Sequence, residues 1–495
     1  MYLRQLTPIL LVFGGSMLFL ITLSGEFDRS GFAENPQLLR IEAETPLTPS
    51  AAATDEMWMP EEQDQPLPDG EFPSRLMLPG LVFNNATKIS TVYPEEFETG
   101  ITITVVKSLS AKVEEHVKQI FNDEYGECKF HATLPAMVKR DGGVELIIRI
   151  WLSQYEKMST RYKLAGKNLT NMVYEWRNTW QENYLYSLQM DEDYNPLKTG
   201  SIMGLPTTTN AAFTYKSDGP MDPRLFSVGN STYLSFHTWL VDPTFNNQIS
   251  GRLHLYDMDR HIKKKLTLNT KLLRTEINWI PLDIDGELYY TYSLDPLRVM
   301  KCDRETAACK FIYKQEGSAA NPFVYTSDHL RGGTPWVLYK YPYYISVGHN
   351  VLVTTSPRLD YSLYNSNILV LSVKPWRLVY ASSNIFYNQT WIRRLPIIRN
   401  QTILTGFFYP SGLIKRSDDV LDVSGHVNDA AGYIVRVRGI RQLMEKVISR
   451  DQENVAQLSP AVRTAQQYIM QSGRNWFPKW KFRGDIIAGT VEKPY

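Results

Sequence analysis

The chain has 495 residues, enough to bury one large core or two ordinary ones, with 29 Tyr, 11 Trp and a net charge of +1. A charge so close to zero gives no global electrostatic case for nucleic acid. The three cysteines do not make a zinc cage, since no second pair or His pair accompanies Cys302 and Cys309. That pair flanks Asp303-Arg-Glu-Thr306 and fits a hairpin disulfide in an oxidising compartment, leaving Cys128 over.

Gln5 to Gly25 carries no charge, and about 20 apolar residues span a bilayer as a helix. Arg4 precedes the run and Glu26 and Asp28 follow it. That polarity makes 1–4 a cytosolic tail and 5–25 a transmembrane signal-anchor. The rival reading is a cleaved signal peptide, but no clean Ala-x-Ala site follows. Residues 26–80 carry eight prolines between Pro36 and Pro79 among many acids. Such a stem cannot bury enough apolar surface to offset its ordering entropy and is expected to be disordered.

Residues 81–495 are expected to form one lumenal domain. Val113, Val117, Ile120 and Phe121 share a face of a helix starting near Ser110. Val144 to Trp151 reads as a strand entered through Gly142-Gly143. Tyr162 to Leu188 reads as mixed helix and loop. From Phe213 to Ile434 short strands alternate with Gly, Asn, Asp and Pro turns, the pattern of an all-β sandwich, barrel or propeller. Lys263-Lys-Lys265 reads as a solvated turn. C-terminal helices are expected within 439–472: one over Gly439–Val447 and one opened by Ser459-Pro460. Sequons at Asn85, Asn168, Asn230, Asn388 and Asn400 agree with a glycosylated lumenal domain.

Within the strand-rich region a unit recurs. Asp222-Pro-Arg224 leads through Gly229-Asn230 into Tyr233–His237, and Asn278-Trp279 leads through Asp285-Gly286 into Leu288–Tyr292. Arg331-Gly-Gly-Thr-Pro335 leads into Tyr343–His349, and Ser411-Gly-Leu413 into Val420–Ser424. If these units are blades around one axis, their polar anchors converge on a central cleft. The anchors Asp222, Arg224, Arg298, Arg331, His349, His426 and Asp429 would then combine arginine forks suited to phosphate with a carboxylate able to take a proton. The bland alternative is that they close blades through buried ion pairs. Asp257-Met-Asp259, Asp283-Ile-Asp285 and Asp191-Glu-Asp193 leave a divalent metal open, although hairpin turns explain the first two and a charged loop the third. His116 and His254 read as structural or solvated. Walker, Gly-x-Ser-x-Gly, His-Glu-x-x-His and dinucleotide-binding motifs are absent.

Five motifs in order resemble the fungal β-mannosyltransferases: Gly219-Pro-Met-Asp-Pro-Arg-Leu-Phe226, Asn278-Trp-Ile-Pro281, Asp295-Pro-Leu-Arg-Val-Met-Lys-Cys302, Leu330-Arg-Gly-Gly-Thr-Pro335 and Asp419-Val-Leu-Asp-Val-Ser-Gly-His-Val-Asn-Asp429. The Asp-Pro-Arg and Asn-Trp elements also resemble bacterial β-mannoside phosphorylases. The resemblance implies a mainly β, five-bladed β-propeller with a few peripheral helices. It implies a type II Golgi membrane enzyme that transfers mannose from GDP-mannose, with inversion, to form β-1,2-mannosides on cell-wall mannan or glycoprotein glycans. Asp222 would be the catalytic base. Arg224, Arg298, Arg331 and His349 would bind donor phosphates or sugar, Asn278 and Trp279 would form the sugar floor, and Asp429 would close the ring. No cofactor is implied beyond the donor. The implied partners are GDP-mannose, a mannosylated acceptor and the membrane, with no nucleic acid. Val351–Ser366 lacks the cysteines and the Tyr-Arg-Pro expected after the Arg-Gly-Gly-Thr-Pro unit. The alternatives are a lumenal β-mannoside phosphorylase or hydrolase, and a non-catalytic glycan-binding propeller.

Overall fold

The computed structural model describes residues 74–75, 101–121, 129–140, 142–153, 181–205, 219–242, 248–270, 272–273, 275–294, 296–315, 330–355, 360–382, 385, 407–427, 431–453 and 481–482. The anchor, most of the stem and the sequons at Asn85, Asn168, Asn388 and Asn400 lie outside them, as do Cys128, Asp429 and the second C-terminal helix. No helix among the described residues is long and apolar enough to cross a membrane.

Strands β1 (Ser74–Arg75) and β2 (Thr102–Ser108) precede helix α1 (Ser110–Ile120). Five sheets then follow one another along the chain. Blade one is β3 (Lys129–Arg140), β4 (Gly143–Ser153), β5 (Gln181–Met190) and β6 (Ser201–Ile202). Blade two is β7 (Met221–Val228), β8 (Ser231–Asp242), β9 (Gln248–Asp257) and β10 (Ile262–Lys265). Blade three takes β11 (Thr267–Leu268) as its outer edge and runs inward-to-outward from β12 (Ile280–Ile284) through β13 (Glu287–Leu294) and β14 (Leu297–Cys302) to β15 (Ala308–Lys314). Blade four pairs β16 (Leu330–Arg331) and β17 (Val337–Lys340) with β18 (Tyr343–Thr355), followed by β19 (Asp360–Val373) and β20 (Trp376–Ala381). Blade five is β21 (Phe408–Lys415), β22 (Val420–Val427) and β23 (Ala431–Arg438). Helix α2 (Ile440–Glu453) and β24 (Lys481–Phe482), which pairs with β18, complete the described chain.

Five apolar clusters hold these sheets together, one between each pair of neighbouring blades. Every blade is therefore covered on both faces. Strand side chains alternate between faces, so one strand feeds two cores. In β13, Leu288, Tyr290 and Tyr292 pack toward blade two, while Tyr289 packs toward blade four. In β7, Leu225 faces blade one and Phe226 faces blade three. The disulfide joining Cys302 to Cys309 lies in the core between blades two and three.

The ring is closed by hydrogen bonds as well as by packing. β2 precedes blade one in sequence, yet it pairs with β23 of blade five from Thr102↔Arg438 to Ser108↔Tyr433. α1 then carries the chain across to blade one. The Ser110 hydroxyl donates to the Ala132 carbonyl (2.9 Å) and accepts the Gly432 amide (2.7 Å), tying both blades to the helix start.

Four details differ from the sequence reading. Ile120 is 42% exposed, because α1 ends there and Phe121 packs instead on Phe130 and Tyr184. The Tyr162–Leu188 stretch contains a strand where it is described, the buried β5. Lys263–Lys265 lies in the edge strand β10, not a turn; Lys264 reaches Glu305 of blade three. α2 also runs further than expected, because Asp451 near its end is buried and accepts from the Tyr343 hydroxyl (2.9 Å) and from Arg377.

Candidate active site

The innermost strands β3, β7, β12, β16 and β21 begin or end near the axis, and there the polar anchors meet. Asp222 sits in a β-bulge: the register of β7 on β8 shifts between Met221↔His237 and Arg224↔Ser235. Its φ is +50°, a left-handed value costly for a residue with a Cβ. Bulges re-aim a side chain, and this one points the carboxylate at groups from other strands. Arg149 of β4 donates from Nη1 to Asp222 Oδ1 at 3.1 Å. His237 of β8 places Nδ1 3.5 Å from Asp222 Oδ2. Arg149 is itself held by Asn183 of β5, whose Oδ1 accepts from Nε at 2.7 Å.

Two residues on, Arg224 is 4% exposed and donates from Nε to the Gly333 carbonyl of blade four. Its guanidinium also lies 5.9 Å from the Tyr409 ring centroid in blade five. Tyr409 is packed by His349 (4.3 Å) and His426 (5.2 Å), and its hydroxyl donates to Asn278 Oδ1 of blade three at 3.2 Å. A continuous set of contacts thus runs from Arg149 in blade one through every other blade.

The Arg-Gly-Gly-Thr-Pro motif has a steric reason here. A Cβ on Gly332 would lie 2.4 Å from the Asn278 carbonyl oxygen, and one on Gly333 would lie 2.1 Å from the Val347 carbonyl oxygen. Both distances are shorter than a real Cβ tolerates, so blade four can approach the axis closely only with glycine at both positions. Arg331 then pairs with His349 across β16 and β18.

Burial alone pushes the Asp222 carboxyl up. The positive charges of His237, Arg149, Arg224 and His426 outweigh it and hold the group below the usual carboxylate value. Its side chain keeps 26% exposure, so solvent or a substrate reaches it. His349 shifts well below the ordinary histidine value: burial lowers it first, and Arg331 and Arg224 lower it further. It is therefore a neutral ring at pH 7 and brings no charge to a donor phosphate. Burial also pushes the Tyr409 phenol up, which keeps it a donor for Asn278.

The sequence-based site residues divide as follows. Asp222, Arg224, Asn278, Arg331 and His349 come together. Arg298 does not: it is on β14, the third strand from the axis, where its charge is felt by Tyr292. Trp279 is 3% exposed and packed on Tyr290 and Tyr292, with its indole N–H donating to buried Glu276 at 3.2 Å. It is a core ring between blades two and three and does not form a sugar floor. Of the glycosylation sequons, Asn230 is exposed in the β7–β8 turn. Asp257 accepts the Asp259 and Arg260 amides, and Asp283 accepts the Gly286 amide, so both cap turns. Asp191 likewise accepts the Asp193 and Asn195 amides of its own loop. His254 is buried, and burial pushes it down to about 3; His116 hydrogen-bonds the Tyr186 hydroxyl at 2.7 Å. Sequence reasoning missed Arg149, Asn183, His237 and Tyr409 as site residues.

The chain is distantly similar to the fungal β-mannosyltransferases. It is 30% identical over 150 residues to β-mannosyltransferase 1 of Komagataella phaffii, covering 27% of this chain and 21% of that protein. Against β-mannosyltransferase 3 of the same species it is 28% identical over 139 residues, covering 26% and 22%. The match thus spans about a fifth of the length of these curated relatives. No family model matches the sequence. Among solved structures, a β-1,2-mannobiose phosphorylase from Listeria innocua aligns with a TM-score of 0.40 at 12% identity, over 66% of this chain and 94% of that one. A GDP-Man-dependent mannosyltransferase from Leishmania mexicana aligns with a TM-score of 0.36 at 11% identity, over 67% and 95%.

Proposed function

We propose that this chain is an inverting β-mannosyltransferase, taking mannose from GDP-mannose and adding it in β-1,2 linkage to mannan or another mannosylated glycan. We place it as a type II Golgi membrane protein, anchored by residues 5–25 with the propeller lumenal. The observation that carries the reading is Asp222, held ionised and partly open at the axis beside Arg149, Arg224 and His237.

The chemistry fits that arrangement. Inversion at an α-linked donor needs one carboxylate on the acceptor side, in-line attack, and positive charge for the departing diphosphate. Asp222 supplies the first. Arg331, at the inner edge of blade four, is the cation we assign to the diphosphate. Arg224 is committed to the Gly333 carbonyl and the Tyr409 ring, so its part is to hold blades together at the site and to add positive potential.

The test is incubation of the full-length protein in detergent with GDP-mannose and a panel of α- and β-mannosides, followed by linkage analysis. A β-1,2-mannosylated product with release of GDP supports the reading. Mannose 1-phosphate formed from a β-mannobiose and inorganic phosphate, with GDP-mannose untouched, would instead make it a phosphorylase.

A further inference from the structure

One hairpin in blade four outgrows the rest of its sheet. β18 and β19 run for 13 and 14 residues. On one side their neighbour β16 stops at Leu330↔Asn350, and on the other the last described contact is the bridge Ser366↔Ile385. The hairpin continues for five further pairs, from Val351↔Tyr364 to Thr355↔Asp360, which adds about 17 Å of strand. It leaves the blade at the end that carries Arg331 and His349, so it rises beside the cleft. β19 already takes one edge of β18 there. β24, paired Thr354↔Phe482 and Thr355↔Lys481, therefore lies on the edge that β16 uses, the one facing the axis. The raised part falls in Val351–Ser366, the stretch that lacks the cysteines and Tyr-Arg-Pro expected from the mannosyltransferase motifs.

Tyr364 stands at the foot of this wall and is half-buried. Its ring centre lies 5.0 Å from that of buried Phe407, 6.2 Å from Tyr409 and 6.3 Å from His349. Phe407 in turn meets His426 edge-on at 5.6 Å. The cleft is thus divided by chemistry. Blades one and two bring Arg149, Asp222, Arg224 and His237, blades four and five bring a cluster of rings, and Arg331 borders both. Tyr409 joins the halves, since the Arg224 guanidinium lies 5.9 Å from its ring centre. A diphosphate needs the cations. A pyranose carries faces of C–H bonds inside a rim of hydroxyls, and a tyrosine matches it with an apolar ring face and a polar tip.

We infer that Tyr364 is an acceptor-binding, specificity-determining residue: it stacks on the pyranose next to the one that receives mannose, and the raised hairpin backs the rest of the acceptor chain. This rests on the mannosyl-transfer reading above. The receiving sugar must present its hydroxyl to Asp222. Tyr364 lies one ring further on, across Tyr409, so it meets the following unit. A monosaccharide acceptor has no such unit. Acceptors of two or more mannoses therefore gain a contact that methyl mannoside lacks.

Two measurements on the full-length protein decide the matter. In the first, wild type, Y364A, Y364L and Y364F are assayed for transfer from GDP-mannose to methyl α-mannoside and to an α-mannotriose. The preference for the trisaccharide, as a ratio of kcat/KM values, should fall about tenfold in Y364A and Y364L, through the acceptor KM. Y364F keeps the ring face and should hold the preference within about threefold. Y364L fills the space without an aromatic face, so it decides the case if Y364A melts early. An unchanged preference in a folded Y364A or Y364L protein would overturn the inference. In the second, α-mannotriose binding is measured by calorimetry with and without GDP. Kd should weaken about tenfold in Y364L; equal Kd values, or no binding by wild type under either condition, would overturn it. This titration needs no turnover. Wild type that binds the trisaccharide in a Tyr364-dependent way yet leaves GDP-mannose untouched would sink the proposed activity and support the sugar site.

Discussion

Arg149 of blade one and Asp222 of blade two are 73 residues apart in sequence and meet at 3.1 Å, Nη1 donating to Oδ1. The same guanidinium donates from Nε to Asn183 Oδ1, so one side chain holds both the carboxylate and the carboxamide. Both sequence distance and blade boundary are crossed at the carboxylate proposed to do the chemistry.

Arg149→Gln should therefore lower kcat/KM about 10- to 100-fold, roughly 1.4–2.8 kcal/mol in transition-state stabilisation. Arg149→Lys keeps the charge but loses the fork, so it should fall between Gln and wild type. Steady-state kinetics of the two variants check this. Equal activity of Gln and wild type would remove Arg149 from the site.

The arginines of blades three and four should separate. Arg331 is at the inner edge of blade four beside His349, whereas Arg298 is on the third strand of blade three. Arg331→Ala should raise the KM for GDP-mannose about tenfold or more, a cost of ~1.4 kcal/mol. Arg298→Ala should leave it within about twofold, as expected for a residue away from the site. Donor titrations of both variants test the assignment, and the reverse order would contradict it.

Much of this arrangement was legible in the sequence, and the misses have physical causes. Asp222-Pro-Arg224, Asn278 and Arg331-Gly-Gly each occupy an inner-strand end, where turns and glycines punctuate the pattern. Arg149 is different: it lies inside Val144–Trp151, a strand covered on both faces, where the available signal was a lone base in an apolar run. Tyr409 precedes Pro410, and its role depends on Asn278 in another blade, a pairing no local pattern encodes. Trp279 adjoins Asn278 in sequence just before β12, but Asn278 holds φ at +63° and meets the Tyr409 hydroxyl while Trp279 packs in the core between blades two and three, a divergence that no strand alternation encodes. The closure of β2 onto β23 likewise has no local signature.

Tyr409 and Asn278 act as a strut between blades five and three. Asn278 holds φ at +63°, which asparagine tolerates better than most residues. Tyr409→Phe removes only the hydroxyl and should cost about 1 kcal/mol. Asn278→Ala removes the acceptor and strains the backbone, costing about 1–3 kcal/mol. Asn278→Gly should be milder than Ala in thermal melts despite losing the same hydrogen bond. Ala and Gly melting alike would mean that the backbone conformation is not what selects Asn.

Stability should carry a pH signature from Glu276. Burial pushes this carboxyl up to about 7, against amide, indole and phenol donors from Leu273, Trp279 and Tyr292 that pull it down. Its folded value lies above its ordinary 4.5, so its contribution is complete below that pH and is lost as pH rises through about 7. Glu276→Gln removes the titration. The melting temperature of wild type should fall relative to the variant between pH 5 and 8, and parallel curves would contradict the assignment.

The central claim is that the carboxylate at position 222 does the chemistry in a site the five blades build together. Asp222→Asn, purified at full length and matched to wild type in circular dichroism and melting, is the direct measurement. The account predicts GDP-mannose-dependent transfer reduced at least about 100-fold with donor affinity retained. A folded Asp222→Asn protein that transfers mannose at the wild-type rate would contradict it.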